Sequence, residues 1–215
     1  MKLRALGVFL LLGLAACSGQ VAVPNIKVET PAGITPTSGK YAAVVQSGGW
    51  QLKTDPSGWT CGAWHFNVDV NGPYETAMRD VLTRSLEKVD FTGETYSPAR
   101  LKELGYDAQI ILYQGNANSS FGVNPGFFTG SANSEIALTV TLAVLDDAGV
   151  SAQHTITGKG TGKQDVLVCN TIGDAVAKAA QDAIQDIVKN SLLYVRDSLR
   201  ERQLKKMTSS GKPTS

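Results

Sequence analysis

The sequence predicts an α+β domain of two layers, in which two main helices pack on one face of a mainly antiparallel sheet. The first observation is a run of three strand-like segments after residue 105, whose short or medium links favour antiparallel pairing. The second is alternation of apolar and polar residues, clearest from Glu135 to Leu145. The third is a pair of segments, 73–89 and 170–195, with apolar residues at helical spacing that would cover the apolar face of the sheet.

The start of the chain has the features of a secretory signal. Lys2 and Arg4 precede an apolar run from Leu6 to Leu14, which is too short to span a membrane. Small residues follow, and they lead to Cys17 in the sequence Leu-Ala-Ala-Cys. We therefore expect residues 1–16 to form a signal peptide that is removed from the mature chain.

The sequence Leu14-Ala15-Ala16-Cys17 resembles the lipobox of bacterial lipoproteins. The resemblance implies that Cys17 carries acyl chains such as palmitate and that the signal is cut just before it. The next residue is Ser18 and not Asp, which in lipoproteins of the enteric type resembles the signal for the outer membrane. Two or more acyl chains are enough for a stable anchor. The alternative is an ordinary secreted chain in which Cys17 forms a disulfide bond.

Charge and composition exclude several classes of function. The chain of 215 residues has 20 basic and 19 acidic residues, and loss of Lys2 and Arg4 with the signal gives the mature chain a net charge of −1. A nucleic-acid binder needs a basic excess, so we expect no nucleic-acid partner. Only two His and three Cys are present, so we expect no metal and no cofactor.

Composition divides the mature chain into a tether, a domain and a tail. Residues 17–40 contain three prolines among Gly, Ser and Thr, which is typical of a flexible tether spanning about 25 Å, with a short strand at 26–29. The periplasmic α+β domain covers residues 41–195. From residue 196 apolar residues become fewer and basic residues appear, so 196–215 is predicted to be a solvated basic helix extension and tail.

The first half of the domain contains a weak hairpin signal, a strand and a helix. The strand-like stretches 41–46 and 50–53 flank the sequence Ser-Gly-Gly. Residues 63–70 alternate between apolar and polar side chains, which predicts a half-buried strand. Pro73 fits the first position of a helix, whose apolar residues recur at helical spacing as far as Val89.

The second half of the domain contains a short helix and three strands. Ser97 caps the helix, which runs to Leu104, and Gly105 ends it. The predicted strands are rich in apolar and β-prone residues and cover, in order, 106–114, 135–145 and 151–159. Asp146 to Gly149 form the hairpin turn between the last two strands.

Two cysteines remain once Cys17 is acylated. An oxidising compartment and an even number of cysteines favour a disulfide bond, so Cys61 and Cys169 are predicted to be bonded to each other. Cys61 precedes a predicted strand, and Cys169 precedes the last helix, which is capped by Asn170 or Thr171. The alternative is two buried free thiols.

No motif in the chain predicts an enzyme. The segment Gly158 to Lys163 lacks the spacing and the Ser or Thr of a phosphate-binding loop, so it is interpreted as a flexible strand end and no nucleotide partner is expected. His65, Asn67 and Asp69 share one strand face, which is better explained as the polar side of an amphipathic strand than as a metal or acid–base site. His154 would join His65 only if their strands were adjacent. No Gly-x-Ser-x-Gly elbow of a serine hydrolase occurs.

Three regions are candidates for binding a partner. The first is 115–133, predicted to be a long loop rich in Gly, Asn and Ser that carries Phe121, Phe127 and Phe128. Those phenylalanines either anchor a partner or fold back onto the edge of the domain. The second is the polar face of the sheet, which is rich in Thr and Ala. The third is the basic end of the last helix, 196–206, which either meets anionic lipid or an acidic partner or is solvated.

The order of these elements resembles that of a known family. After the lipobox and the proline-rich segment, the stretch from Glu135 to Gly149, the return strand and the helix from Ile172 to Ile187 resemble YajG-type outer-membrane lipoproteins. More broadly, the pattern resembles the small α+β module of curli-secretion lipoproteins, of the amino-terminal domain of TolB and of lipoprotein activators of peptidoglycan synthases. These families are mostly binding or assembly modules, so the resemblance implies a non-enzymatic role.

The sequence thus predicts an outer-membrane lipoprotein, facing the periplasm, that binds another envelope protein as an adaptor or assembly subunit. The first alternative is a carrier or sensor of a lipid or other apolar small ligand, which would need a sizeable apolar cavity. A scaffold would instead have a filled core and an exposed patch. The second alternative is a hydrolase that uses His65.

Overall fold

The computed structural model describes residues 17–29, 35–54, 64–124, 130–166 and 172–210. Within these ranges the chain forms eight strands and three helices, arranged as two sheets and the helices that pack on them. In chain order the elements are β1 (Cys17–Ala22), β2 (Thr37–Val45), β3 (Leu52–Thr54), β4 (Trp64–Asp69), α1 (Asn71–Ser85), β5 (Leu86–Phe91), α2 (Pro98–Glu103), β6 (Ala108–Asn124), β7 (Gly130–Asp146), β8 (Gly149–Val166) and α3 (Gly173–Ser210). The predicted α+β class is confirmed.

The large sheet has five strands in the order β5-β2-β6-β7-β8. β6, β7 and β8 follow one another in the chain and pair antiparallel, as predicted. β2 lies between β5 and β6 and is parallel to both, so the sheet is mixed although most of its residue pairs are antiparallel. The long connections from β2 to these partners permit the parallel pairing, because a parallel pair needs a crossover. The apolar faces of α1 and α3 pack together on one side of this sheet and form the core with it.

The described parts of the predicted tether, residues 17–29 and 35–40, belong to the folded domain, and β2 already begins at Thr37. β1 pairs in parallel with β4, and β3 completes a small sheet in the order β1-β4-β3. The predicted strand at 26–29 is absent, but the chain there is packed, because Val21, Val23, Ile26 and Val28 are buried in the core. Each such side chain gains about 1.5–3 kcal/mol on burial, which outweighs the proline-rich composition that indicated a flexible segment.

Two more predictions in the first half of the domain are wrong. β2 and β3 lie in different sheets, so 41–46 and 50–53 do not form a hairpin. α1 ends at Ser85, and the chain passes directly into β5 at Leu86, where a helix as far as Val89 was expected. The apolar residues of β5 satisfy a helical spacing as well as a strand, and the pairing of β5 with β2 decides between the two.

Residues 115–124 and 130–133, the described parts of the predicted loop 115–133, are strand. β6 continues to Asn124 and β7 begins at Gly130, and the two strands pair along this length apart from one bulge. Gly, Asn and Ser have low strand propensity, so composition concealed the alternation that turns Phe121 into the core. Pairing of β6 with its neighbour overrides the local preference.

β8 is also longer than predicted, and glycines hold it against α3. The segment Gly158 to Lys163 is regular strand and not a flexible strand end. A Cβ atom at Gly160 would lie 2.0 Å from the carbonyl oxygen of Ala179, and one at Gly162 would lie 1.8 Å from that of Ala175. Only glycine permits so close an approach, and the backbones of β8 and α3 are therefore in contact.

α3 has 38 residues and continues as a helix to Ser210, but after residue 196 it is solvated on one side only. Leu199 and Arg202 are buried, because this part of the helix still packs on the large sheet. None of the helices in the described ranges is both long enough and apolar enough to cross a membrane.

Several local predictions are confirmed. β4 turns Phe66 and Val68 into the core. The Oγ atom of Ser97 accepts a hydrogen bond of 3.3 Å from the backbone nitrogen of Arg100 and so caps α2. Gly149, with φ of 117°, closes the turn between β7 and β8 in a conformation that favours glycine. The predicted cap of the last helix at 170–171 lies outside the described residues.

Candidate interaction surfaces

The residue predicted to carry the lipid anchor is built into the fold. Cys17 is the first residue of β1 and pairs with Trp64, the first residue of β4. Two residues later the backbone packs on an aromatic ring, since a Cβ atom at Gly19 would lie 3.2 Å from the ring of Phe66. Acyl chains on Cys17 would therefore be joined to the domain without a spacer.

Cys17 lies at one end of the large sheet. The ring centroid of Phe66 in β4 lies 6.4 Å from that of Phe121, near the end of β6. β3 runs alongside β6 towards the same end, where the hydroxyl of Thr54 donates a hydrogen bond to that of Ser119. Because β1 and β4 both start here, this end of the domain is called the anchor end. It comprises the ends of β6 and β8 and the beginnings of β7 and α3.

At the opposite end of the domain, called the distal end, a buried arginine forms ion pairs. Arg202 of α3 is 8% exposed, and its guanidinium nitrogens lie 3.0 Å from Asp146, 3.7 Å from Asp147 and 3.8 Å from Asp107. These ion pairs hold the last third of α3 on the turn between β7 and β8. From residue 149 to residue 162, β8 rises by about 43 Å, which is the approximate distance between the two ends.

Hydrogen bonds around Tyr41 connect the start of β2 to the last third of α3, near Arg202. Its hydroxyl donates a hydrogen bond of 2.7 Å to the carbonyl oxygen of Ser38, which also accepts one of 3.2 Å from the amide of Gln203. Burial, and then the negative charge of Asp107, raise the pKa of Tyr41. The phenol therefore remains protonated and keeps donating to Ser38.

The distal half of α3 has apolar residues on its solvent side. Leu193, Leu204 and Met207 are 46%, 50% and 61% exposed. Asp197 and Arg200 lie on the same side of the helix, because residues three or four apart share a face. These five residues are called the outer face of α3. A helix with its other side in the core normally presents polar residues to water, so apolar residues here are unusual. From the sequence alone, this region is distinguished only by its basic residues.

The large sheet is open on the face opposite α1 and α3, along β7 and β8. Thr139 pairs with Thr157 and Thr141 with Thr155, and these small side chains point away from the core. Tyr113 of β6, which is 40% exposed, pairs with Thr141 and extends the same row. These five residues are called the open sheet face, and they correspond to the Thr-rich face that the sequence predicted.

The free edge of β8 is partly protected. The backbone nitrogen of Lys159 points out of the sheet and donates a hydrogen bond of 3.0 Å to the carboxylate of Asp186 in α3. The amide of Asn190 donates a second hydrogen bond of 3.1 Å to the same carboxylate and holds it in position. A side chain that satisfies an edge N–H group blocks the addition of another strand at that point.

The polar face of β4 borders a groove with a volume of about 760 Å³. His65, Asn67 and Asp69 are exposed, as expected for the polar side of an amphipathic strand. The groove is open to solvent, so it differs from the enclosed apolar cavity that a lipid carrier needs. Five amide side chains line it, those of Gln20, Asn25, Gln51, Asn67 and Asn71.

The two histidines are not adjacent. His65 lies in β4 of the small sheet, whereas His154 lies in β8 of the large sheet, with its ring 4.6 Å from the ring of Tyr194. Among the residues that the structure describes, no three His, Cys, Asp or Glu side chains are grouped so that they could hold a metal ion.

The other predicted site residues fall into two groups. Phe121 is buried, as in the alternative in which the phenylalanines fold back onto the domain. Cys61, Cys169, Phe127 and Phe128 lie outside the described residues. The disulfide bond between the two cysteines and the binding role of the two phenylalanines therefore stay predictions.

The chain has similar solved structures but no matching family model. No curated protein matches it either. A solved DUF330-family protein from Xanthomonas campestris is similar, with a TM-score of 0.47 and 12% identity over 85% of this chain and 99% of that one.

Two further solved structures show a similar degree of likeness. One, from Helicobacter pylori, is described as a homologue of a neuraminyllactose-binding haemagglutinin, with a TM-score of 0.49 and 9% identity over 86% of this chain and 100% of that one. The other is a minor lipoprotein from Acinetobacter baumannii, with a TM-score of 0.37 and 13% identity over 75% and 94%. With TM-scores under 0.5, these likenesses assign neither a family nor a function to the chain.

Proposed function

We propose that this chain is a lipid-anchored, non-enzymatic binding subunit of the bacterial outer membrane, with its domain in the periplasm. The observation that carries the proposal is the course of β1, which begins at Cys17 directly after a signal-like sequence and is paired into the fold. Acyl chains on Cys17 would hold the anchor end at the bilayer, because no flexible spacer lies between them and β1. The lipobox and the element order that resemble YajG-type lipoproteins support the outer-membrane address.

The packing of the core favours binding at the surface over carriage of a small apolar ligand. Backbone contact between β8 and α3 at Gly160 and Gly162 leaves no space for a ligand between these two elements. The open sheet face, by contrast, is lined by small side chains and by the side chain of Tyr113, which is 40% exposed. Exposed aromatic side chains often carry much of the energy of a protein interface. We assign the envelope partner to this face.

Metabolic labelling with a palmitate analogue in a bacterium with two membranes tests the anchor. The wild type is expected to be labelled and to sediment with outer-membrane vesicles on a sucrose gradient. Cys17→Ser is expected to lose both the label and the membrane association. The double variant Cys61→Ser, Cys169→Ser is the matched control, because it removes both other cysteines without leaving an unpaired thiol and should leave labelling intact. Label on Cys17→Ser, or none on the wild type, would overturn the anchor.

Site-specific photocrosslinking in intact cells tests the binding role. A photoreactive residue at Thr155, on the open sheet face, is expected to capture one specific envelope protein. Thr83, which is exposed on α1, is the control position and should not capture it. Replacement of Tyr113 by Ala should reduce the adduct at position 155. If position 155 captures no protein and the purified chain instead carries lipid, the carrier alternative replaces this proposal.

A further inference from the structure

The outer face of α3 is suited to a different occupant from the open sheet face. Leu193, Asp197, Arg200 and Leu204 are spaced by four, three and four residues, which is the spacing of a coiled-coil seam. Both leucines are about half exposed. Within the described ranges, neither Asp197 nor Arg200 has an ion-pair partner, although the two charges are opposite and only three residues apart.

The order of residues along this seam is complementary to itself in the reverse direction. When two copies of α3 lie antiparallel, Leu193 of each copy faces Leu204 of the other, and Asp197 of each copy faces Arg200 of the other. Two leucine layers thus flank two ion-pair layers, and a two-fold axis passes between residues 198 and 199. A parallel arrangement would instead place each charge opposite its own kind, which costs free energy.

We propose that α3 pairs antiparallel with α3 of a second copy of this chain through Leu193, Asp197, Arg200 and Leu204. The contact is isologous, as in most symmetric dimers, because the same patch serves on both copies. The seam spans about 16 Å of helix, so the buried area falls below that of a standard interface. The dissociation constant of the dimer is therefore expected to be on the order of 10 µM. The pairing does not depend on acylation of Cys17, because the seam lies in the distal half of α3.

A charge swap tests the pairing, by sedimentation velocity of the full chain in detergent over a range of concentrations. Asp197→Arg places two arginines opposite each other twice per dimer, and Arg200→Asp does the same with two aspartates. Each single variant is expected to weaken dimerisation at least about tenfold. The double variant restores opposite charges in both layers and is expected to dimerise within about threefold of the wild type.

Matched controls separate the seam from general effects of charge. Lys102→Glu in α2 changes the net charge as much as Arg200→Asp does, at an exposed site off the seam, and should leave dimerisation unchanged. Circular dichroism checks that every variant remains folded. A wild type that stays monomeric at 200 µM, about twentyfold above the expected dissociation constant, would overturn the proposal. So would a double swap that fails to restore the dimer.

A photoreactive residue at Leu204 identifies the occupant in cells. An adduct of twice the mass of the chain, lost in Asp197→Arg and regained in the double swap, supports a second copy. An adduct with lipid, or with a protein of another mass, would show that a membrane or a different partner occupies the seam and would refute the dimer. Failure of the dimer leaves the labelling of Cys17 unaffected, so the two proposals are tested separately.

Discussion

Replacement of Gly160 by Ala measures how closely β8 and α3 are packed. The added Cβ atom would lie 2.0 Å from the carbonyl oxygen of Ala179 and 2.4 Å from the backbone nitrogen of Ala183. An ordinary contact of a Cβ atom is 3.4 Å or longer, so the shorter of these distances is about 1.4 Å too small. Both neighbours are helix backbone and cannot rotate away, so either α3 must move or β8 must bend.

The expected loss of stability follows from two opposing terms. Overpacking of a core costs about 1–3 kcal/mol, and the upper end applies here because backbone and not side chain must yield. A Gly-to-Ala change also reduces the entropy of the unfolded chain, which returns about 0.4–1 kcal/mol. The net loss is therefore about 2–2.6 kcal/mol. For a chain of this size, each kcal/mol corresponds to about 2–4 °C, so the melting temperature should fall by about 4–10 °C.

Urea and thermal unfolding of the full chain, followed by circular dichroism, provide the measurement. Gly93→Ala is the matched control, because no atom lies within 4 Å of its Cβ position and its backbone suits an L-residue. That variant should be neutral or more stable by up to about 1 kcal/mol. If Gly160→Ala unfolds within roughly 0.5 kcal/mol of the wild type, the contact between β8 and α3 is not as close as the distances indicate.

Three further perturbations have defined outcomes. Arg202→Met removes the ion pair of the buried Asp146 carboxylate and should cost about 3 kcal/mol in urea unfolding. Arg100→Met, which breaks an exposed pair, should change little, and equal effects would contradict the burial argument. Burial, and then the hydrogen bond to Asp90, raise the pKa of Tyr106 from 10.0 to about 12, so its stabilising contribution is complete below pH 10 and is lost as the pH rises through about 12. Asp90→Asn should therefore shift one phenol to lower pH in an ultraviolet titration, and an unchanged curve would contradict this. Asp186→Ala should open the edge of β8 and increase self-association in light scattering, and a monodisperse variant would show that the edge needs no such protection.

Elements whose pattern depends only on neighbouring residues were predictable from the sequence. The alternation from Glu135 to Leu145 places every second side chain in the core, as the structure shows for Ile136 through Val144. Ser97 capped α2 as expected, because capping needs only the three residues that follow it. Local rules were sufficient in both cases, since no distant part of the chain supplies an alternative.

Elements that depend on a distant partner were missed. β1 and β5 are strands because β4 and β2 pair with them, and neither segment has a strong pattern of its own. The glycines of β8 had been interpreted as flexibility, yet a signal for close packing was present. Two residues of strand rise about 6.6 Å and four residues of helix rise about 6 Å. Gly158, Gly160 and Gly162 can therefore each contact one of three alanines spaced by four residues. In that order, these are Ala183, Ala179 and Ala175.

The candidate surfaces were predictable only in part. The Thr-rich sheet face was recognised because alternation identifies both sides of a strand, but the Phe-bearing loop was chosen on composition, and Phe121 proved to be buried. The outer face of α3 was missed because its basic residues suggested a solvated end. Only the position of the core shows that Leu193 and Leu204 point away from it.

The anchor and the pairing of α3 together restrict how the protein can lie on a membrane. A two-fold axis through the distal half of α3 places the two Cys17 residues at opposite ends of the dimer, because the start of α3 at the anchor end lies about 38 Å from the axis. Without a spacer, both anchors reach one bilayer only if the two-fold axis is normal to it and the α3 helices run parallel to its surface. An upright monomer and a dimer anchored in one membrane are therefore mutually exclusive arrangements. The distance from a spin label at exposed Thr83 to the surface of a vesicle distinguishes the two arrangements. If the dimer is the anchored form, charge reversal at Asp197 should change this distance.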